Sequence, residues 1–339
     1  MRILVPTALL LAFAAGAPTA QSPAGGIIDR SDAALDAIVS MDATVETLKS
    51  DYFGYTEGPV WVPDPDSGYW LFSDMGANKV YKWTSDGELS VFLERSGFTG
   101  RVFPGMRMLS NGRLLLVILG SNGLTLDREG RLVLSAHGDR ALVRLEKNGT
   151  RTTLVDRYQG KRINGPNDVV MKSDGSFYFS DRGSAMANET PEREVPRALL
   201  RLHDGQIQVL DTEPSVNGLA FSPDEKHLYV AGGPRIRRFD VLPDGTLANP
   251  QIFLDMSKSA IRGGTDGIKV DRQGNLFTTG PGGVWILSSK GKLLGRILTP
   301  SHLTNMAFGD ADGRGLFMTS ARSIYYIRLK APAAAVGAH

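Results

Sequence analysis

One five-residue pattern occurs six times along this chain, and it constrains the fold more than any other feature. The members are EGPVW from Glu57, NGLTL from Asn122, NDVVM from Asn167, NGLAF from Asn217, DGIKV from Asp266 and TNMAF from Thr304. Each has a polar residue with a side-chain oxygen, then a small or polar residue, then apolar, variable, apolar. The residues after each pentad also repeat. KSDGSFYFSDRG, DRQGNLFTTGPG and SPDEKHLYVAGG share a polar turn, a short β-rich run and a Gly/Asp/Ser break. A third run such as KVYKW, ALVRLE or GVWILS often comes next, and it leads into another polar turn. Short strands punctuated by turn residues every 8–12 positions read as an antiparallel meander. Unequal spacing of the pentads means inserted loops, while the order inside each unit is kept.

Strand meanders repeating radially describe a β-propeller. A two-sheet sandwich of similar strand count gives no reason for one pentad to recur six times. The expected fold is therefore all-β, a six-bladed β-propeller over residues 51–330. Residues 23–50 are expected to add a short helix at 31–39 and a strand that helps close the ring, and 331–339 to form a disordered tail.

Composition narrows the chemistry. The chain has 339 residues and a formal net charge of +2, with no basic block and no Lys/Arg run interleaved with aromatics. A nucleic-acid partner thus has no electrostatic support. There is no cysteine, which removes disulfides, thiol catalysis and thiolate metal sites together. Any metal must be held by oxygen or imidazole, and with only five His oxygen is the better fit. Residues 1–22 read as a signal peptide: Arg2, an apolar stretch from Ile3 to Ala15, then small residues. The stretch is short for a bilayer span. The mature protein is expected to be exported, periplasmic or secreted, with no membrane association after cleavage.

In a propeller the innermost strands line a central channel, so equivalent positions of the blades face one another. Here they carry Glu57, Asn122, Asn167, Asn217, Asp266 and Thr304, an oxygen at each. Two carboxylates with neutral amide oxygens suit one hard divalent cation, Ca²⁺ first, with Mg²⁺, Mn²⁺ and Zn²⁺ as alternatives. Asn and Asp before Gly are also ordinary turn residues, and a water-filled channel without metal remains the competing reading of the same ring. Asp168 should point away from Asn167 along an extended strand and is assigned to blade packing. Asp74 and Asp181, both in FSD, read as strand-end turn residues. His137, in SAHGD, is a candidate substrate contact. No nucleophile elbow, P-loop or dinucleotide fingerprint is present.

At TEGPVW, GSNGLTLDREGRL, RINGPNDVVMKSDGSFYFSD, NGLAFSPDEKHLYVA and TDGIKVDRQGNL the chain resembles the regucalcin–gluconolactonase family, in its bacterial gluconolactonase-like branch. The likeness runs over about residues 52–328. It implies a six-bladed propeller with one catalytic divalent metal near the channel mouth, and its ligands map onto Glu57, Asn167, Asn217 and Asp266. It also implies hydrolysis of lactones, usually sugar lactones, with phosphotriester or other ester hydrolysis as the nearest alternative. On this reading Asp266 is the candidate general base, and Asn122 and His137 meet a small-molecule lactone or ester. A different class remains open: an exported propeller that binds a ligand around structural calcium without turnover. Two departures stand out. Relatives of this branch usually carry a Pro-Pro-Tyr-Gly-type segment where this chain has RGSAMANETPEREVPRAL, and an acidic residue is common just before the position of His137. Both lie where substrate would meet the metal.

Overall fold

The computed structural model describes residues 25–64, 67–100, 106–108, 114–116, 118–183, 195–261, 263–330 and 332. The expected leader, the 184–194 part of the altered segment and all of the tail but residue 332 lie outside them. Among the described residues the strands form six antiparallel sheets of four or five strands and two small two-stranded ribbons. The six sheets are the blades of a propeller. Their innermost strands are Thr56–Val62, Ser121–Leu126, Pro166–Met171, Leu219–Phe221, Ile268–Val270 and Leu303–Gly309.

Six clusters of buried apolar side chains hold the blades together, one between each neighbouring pair. Phe179 and Leu200 of blade three pack with Val133 and Leu142 of blade two. Tyr178 and Leu199, the alternate residues on the same strands, pack with Phe221 and Leu228 of blade four. Each blade is thus apolar on both faces, as expected where successive side chains point to opposite sides.

The ring closes with non-local strands. Glu46–Lys49 pairs with Ile324–Arg328 and supplies the outer strand of blade six. Ile27–Arg30 pairs with Leu293–Leu298 as a fifth strand of blade five. Between them lies a 3₁₀ turn, Ala33–Ala37, capped by the Asp32 side chain, which accepts from Ala34 N at 2.9 Å. Its Leu35, with Ile38, Val39 and Val45, fills the gap between blades five and six. Among the described residues no helix is long and apolar enough to cross a membrane.

The pentads mark where the inner strands leave the regular ladder. Register shifts fall at Glu57/Val60, Pro166/Val169 and Leu303/Asn305, and opposite Ser121–Leu124 in blade two. In blades four and five the strand begins only after Asn217 and Asp266. A bulge frees a residue from pairing and re-aims its side chain, so in every blade but the sixth the polar first residue of the pentad turns toward the axis while the apolar remainder stays between blades.

The second pentad position sets how closely the blades meet there. A Cβ on Gly58 would fall 2.3 Å from Asn122 O, one on Gly123 2.8 Å from Asn167 O, and one on Gly218 2.2 Å from Asp266 O. Each glycine backs onto the next blade's ring residue. At the two non-glycine positions, Asp168 and Asn305, the side chains occupy room left by Gly123 and Gly267 of the preceding blades. Both fold back alike: Val169 N donates to Asp168 Oδ1 at 3.0 Å, and Met306 N to Asn305 Oδ1 at 2.9 Å.

Candidate active site

At one end of the channel is a cavity of about 240 Å³, lined by Glu57, Asn122, His137, Asn167 and Asp266 together with Tyr55, Met75, Ile118, Arg182, Gly183 and Arg197. Five of the seven candidates from the sequence, the six ring residues and His137, therefore line it. The sixth, Asn217, joins through a side-chain hydrogen bond to Asp266. Thr304 departs from the ring: its hydroxyl donates to Thr56 O at 2.7 Å and pairs with the Thr319 hydroxyl at 2.9 Å. Blade six instead sends Asn305, whose Nδ2 donates to Glu57 Oε2 at 3.4 Å.

Two FSD aspartates position this wall. Asp74 accepts from Gly54 N, Tyr55 N and Ala77 N, at 2.9, 2.9 and 3.0 Å. Asp181 accepts from Asn164 N at 2.8 Å and Gly165 N at 2.6 Å. Each thereby fixes the backbone just before a ring residue, Glu57 in one blade and Asn167 in the other. They are strand-end residues as expected, with a positioning role that the motif alone did not disclose.

Electrostatically the site is unbalanced. Burial raises the Glu57 carboxyl well above the usual range, and the charges of Asp266 and Asp168 push it further. Asp266 is raised as well, chiefly by burial and also by Asp168, while Arg182 and the Asn217 hydrogen bond oppose the shift. Asp168 is buried and interlocks two blades, accepting from Leu219 N at 3.4 Å. Its role is in packing, yet its charge reaches the site. Tyr55 is held protonated by burial and by the charges of Glu57 and Asp266. His137 Nδ1 lies 3.0 Å from Pro166 O, and a carbonyl only accepts, so Nδ1 carries the proton and Nε2 is left as an acceptor. Burial lowers the His137 pKa to about 4, so the ring is neutral at pH 7.

Two buried amide oxygens of the ring residues, Asn122 Oδ1 and Asn217 Oδ1, have no hydrogen-bond partner among the described residues, and Asn164 Oδ1 is a third outside the ring. Such orphans are rare and call for an explanation. The Asn217 amide is oriented by its bond to Asp266, which takes the NH₂ and leaves the oxygen over. Two buried carboxylates with raised pKa, beside orphaned neutral oxygens, form a donor set that a hard divalent cation satisfies. Among the described residues no group of three or more Asp, Glu or His side chains would hold a metal by itself; the fit depends on the amides.

The sequence reading missed Tyr55, Arg182 and Arg197. Tyr55 lies two residues before a pentad. The arginines bracket the segment already marked as a departure, which was the available signal.

The sequence profile described as the SMP-30/Gluconolactonase/LRE-like region matches residues 55–322. A gluconolactonase of Zymomonas mobilis is 32% identical, with 97% of this chain and 95% of that protein covered. The solved structure of a gluconolactonase from Xanthomonas campestris superposes with a TM-score of 0.74 at 32% identity, covering 89% of this chain and 94% of that one. A structure described as a putative gluconolactonase gives 0.76 at 28% identity, over 91% and 99%.

Proposed function

Because the chain belongs to the SMP-30/gluconolactonase/LRE-like family, we propose that it is a metal-dependent hydrolase that opens the ring of a small-molecule lactone. The observation that carries the metal part is the orphaned Asn217 amide oxygen beside two buried, destabilised carboxylates. Glu57, Asn167, Asn217 and Asp266 would hold the ion, with Ca²⁺ the best match to an all-oxygen set. When bound, the cation supplies Lewis acidity toward a carbonyl oxygen and stabilises the charge that gathers there in the transition state.

The protein's own groups do the rest. Asp266 faces the cavity and accepts a proton from the attacking water. Tyr55, kept protonated, donates to a substrate oxygen. Neutral His137 offers Nε2 as acceptor to a substrate hydroxyl. Asn122 orients the ring through its amide. Met75 and Ile118 give the cavity an apolar side next to the ester. The leader supports an exported, periplasmic or secreted location.

The test is lactone hydrolysis before and after chelation, with Ca²⁺, Mg²⁺, Mn²⁺ and Zn²⁺ restored one at a time, alongside Asp266→Ala and Asn217→Ala. Loss of activity on chelation, recovery with one ion and loss of at least about a hundredfold in Asp266→Ala are expected. Full activity in the chelated protein, or in both variants, would remove this reading.

A further inference from the structure

Thr304 and Asn305 meet the Glu57 segment at two levels. Between the backbones, the Thr304 hydroxyl donates to Thr56 O at 2.7 Å, and the Thr319 hydroxyl lies 2.9 Å from Thr304 Oγ1 and 3.2 Å from Asn305 O. Between side chains, Asn305 Nδ2 donates to Glu57 Oε2 at 3.4 Å. The strands that carry these residues, Thr56–Val62 and Leu303–Gly309, belong to blades one and six. Both ties therefore cross the closure of the ring.

The Asn305 amide has one workable orientation. Met306 N only donates, so its partner at 2.9 Å is Oδ1, and the NH₂ is turned to the carboxylate. Gly267 leaves the room, since a Cβ there would fall 2.2 Å from Asn305 Oδ1. Asn305 is 2% exposed and lies outside the cavity lining, so it acts on the cavity through Glu57. Blade three shows that this fold-back does not need an amide. Asp168 makes the same bond to the next residue's N–H with a carboxylate oxygen, in the room left by Gly123. What the amide adds in blade six is a donor aimed at Glu57.

Glu57 Oε2 takes a second donor, Gly58 N at 3.1 Å. Two bonds thus commit one carboxylate oxygen to the protein. Oε1 has no partner among the described residues and is the oxygen left for the cavity that Glu57 lines. Groups behind a ligand orient it and tune its metal. Calcium accepts carboxylates through one oxygen or two, in shells of about 6–8 oxygens, whereas magnesium needs near-octahedral geometry and keeps several waters. We propose that Asn305 is a positioning residue that confines Glu57 to a single oxygen toward the cation, and that the site thereby admits small octahedral ions, Mg²⁺ and Mn²⁺, beside Ca²⁺. This inference rests on the metal reading of the site given above.

The experiment reads ion binding, apart from turnover. Protein freed of metal is titrated by calorimetry with Ca²⁺ and with Mg²⁺, and with Mn²⁺ by loss of the free-ion EPR signal. The wild type is expected to bind all three. Asn305→Ala and Asn305→Asp both remove the donor. Asn305→Asp keeps an acceptor for Met306 N, as Asp168 does for Val169 N, and its added charge acts on all divalent ions alike. Each variant is expected to raise the ratio of Ca²⁺ to Mg²⁺ affinity at least about tenfold, with the Ca²⁺ to Mn²⁺ ratio moving the same way. A residue that only packs would weaken all three ions together, or matter in Asn305→Ala and not in Asn305→Asp. Melting curves in chelator control for folding, and either variant that folds is decisive. Ratios within about threefold of the wild type, a fall in the ratio, or a wild type that binds Ca²⁺ but neither smaller ion overturns the proposal and leaves the metal reading standing. Binding of none of the three ions by the wild type removes the metal reading, and the role of Asn305 with it.

Discussion

The Asp181 carboxylate accepts both the backbone N–H and the side-chain amide of Asn164, at 2.8 and 3.0 Å. With Gly165 N as a third donor, one buried side chain fixes the approach to Asn167, the start of the altered segment and, through Asn164, its return.

Asp181→Ala is therefore expected to be costly twice over. Two buried N–H groups, Asn164 N and Gly165 N, lose their acceptor at roughly 1–3 kcal/mol each, about 2–6 kcal/mol in all. The loosened approach should also weaken cation affinity through Asn167. Denaturant unfolding and a calcium titration read the two effects separately. A variant with unchanged stability would contradict the bonding described.

Glu57→Gln should act with opposite signs in the two states of the site. Removing a buried, repelled carboxylate leaves the metal-free protein as stable as the wild type or more so. The stabilisation conferred by calcium, about 2.7 kcal/mol at a hundredfold excess over Kd, should largely vanish. Melting curves with chelator and with calcium give both numbers. A variant that loses stability in chelator and keeps the calcium shift would refute the ligand role.

His137 gives a pH signature. Its folded pKa, about 4, lies below the ordinary histidine value of 6.5, so the unfolded chain binds the extra proton between those values. The stability of neutral, buried His137 is fully present above pH 6.5 and is lost as pH falls toward 4, by up to about 3 kcal/mol. His137→Gln should flatten that part of the profile. Other buried groups titrate too, so the comparison is the difference between wild type and variant at each pH. A parallel pair of curves would be inconsistent with the buried neutral ring.

Gly218→Ala probes the close approach of the blades. The added methyl would meet Asp266 O at 2.2 Å, and backbone cannot swing aside as a long side chain does. Overpacking of this kind costs about 1–3 kcal/mol, and here it displaces Asp266. Lowered melting temperature together with weaker calcium binding is the expected result, whereas Gly205→Ala, which faces open space at a strained φ of +72°, should lower stability without touching calcium affinity.

The blade count was legible because each blade solves the same problem: a polar residue at the axis, apolar residues between sheets, a turn outside. That logic placed Glu57, Asn122, Asn167 and Asp266 around one cavity. It misjudged Thr304, since a hydroxyl so short can bond its own neighbours, and Asn305 beside it does the reaching. Strand Ile27–Arg30 carries no pentad, because an outer strand never sees the axis. Arg182 and Arg197 escaped for another reason: they come to one cavity through a strand pairing, Asp181 with Ala198, across a segment with no periodic signal of its own.

The closure of blade six by Glu46–Lys49 also has a consequence in time. That strand waits for a partner at 324–328, almost the whole chain away, and contacts of such separation form late. Glu57 in turn waits for Asn305. The proposed cation site is thus among the last features the chain can make, and calcium affinity gained during refolding would serve as a clock for the moment when the circle shuts.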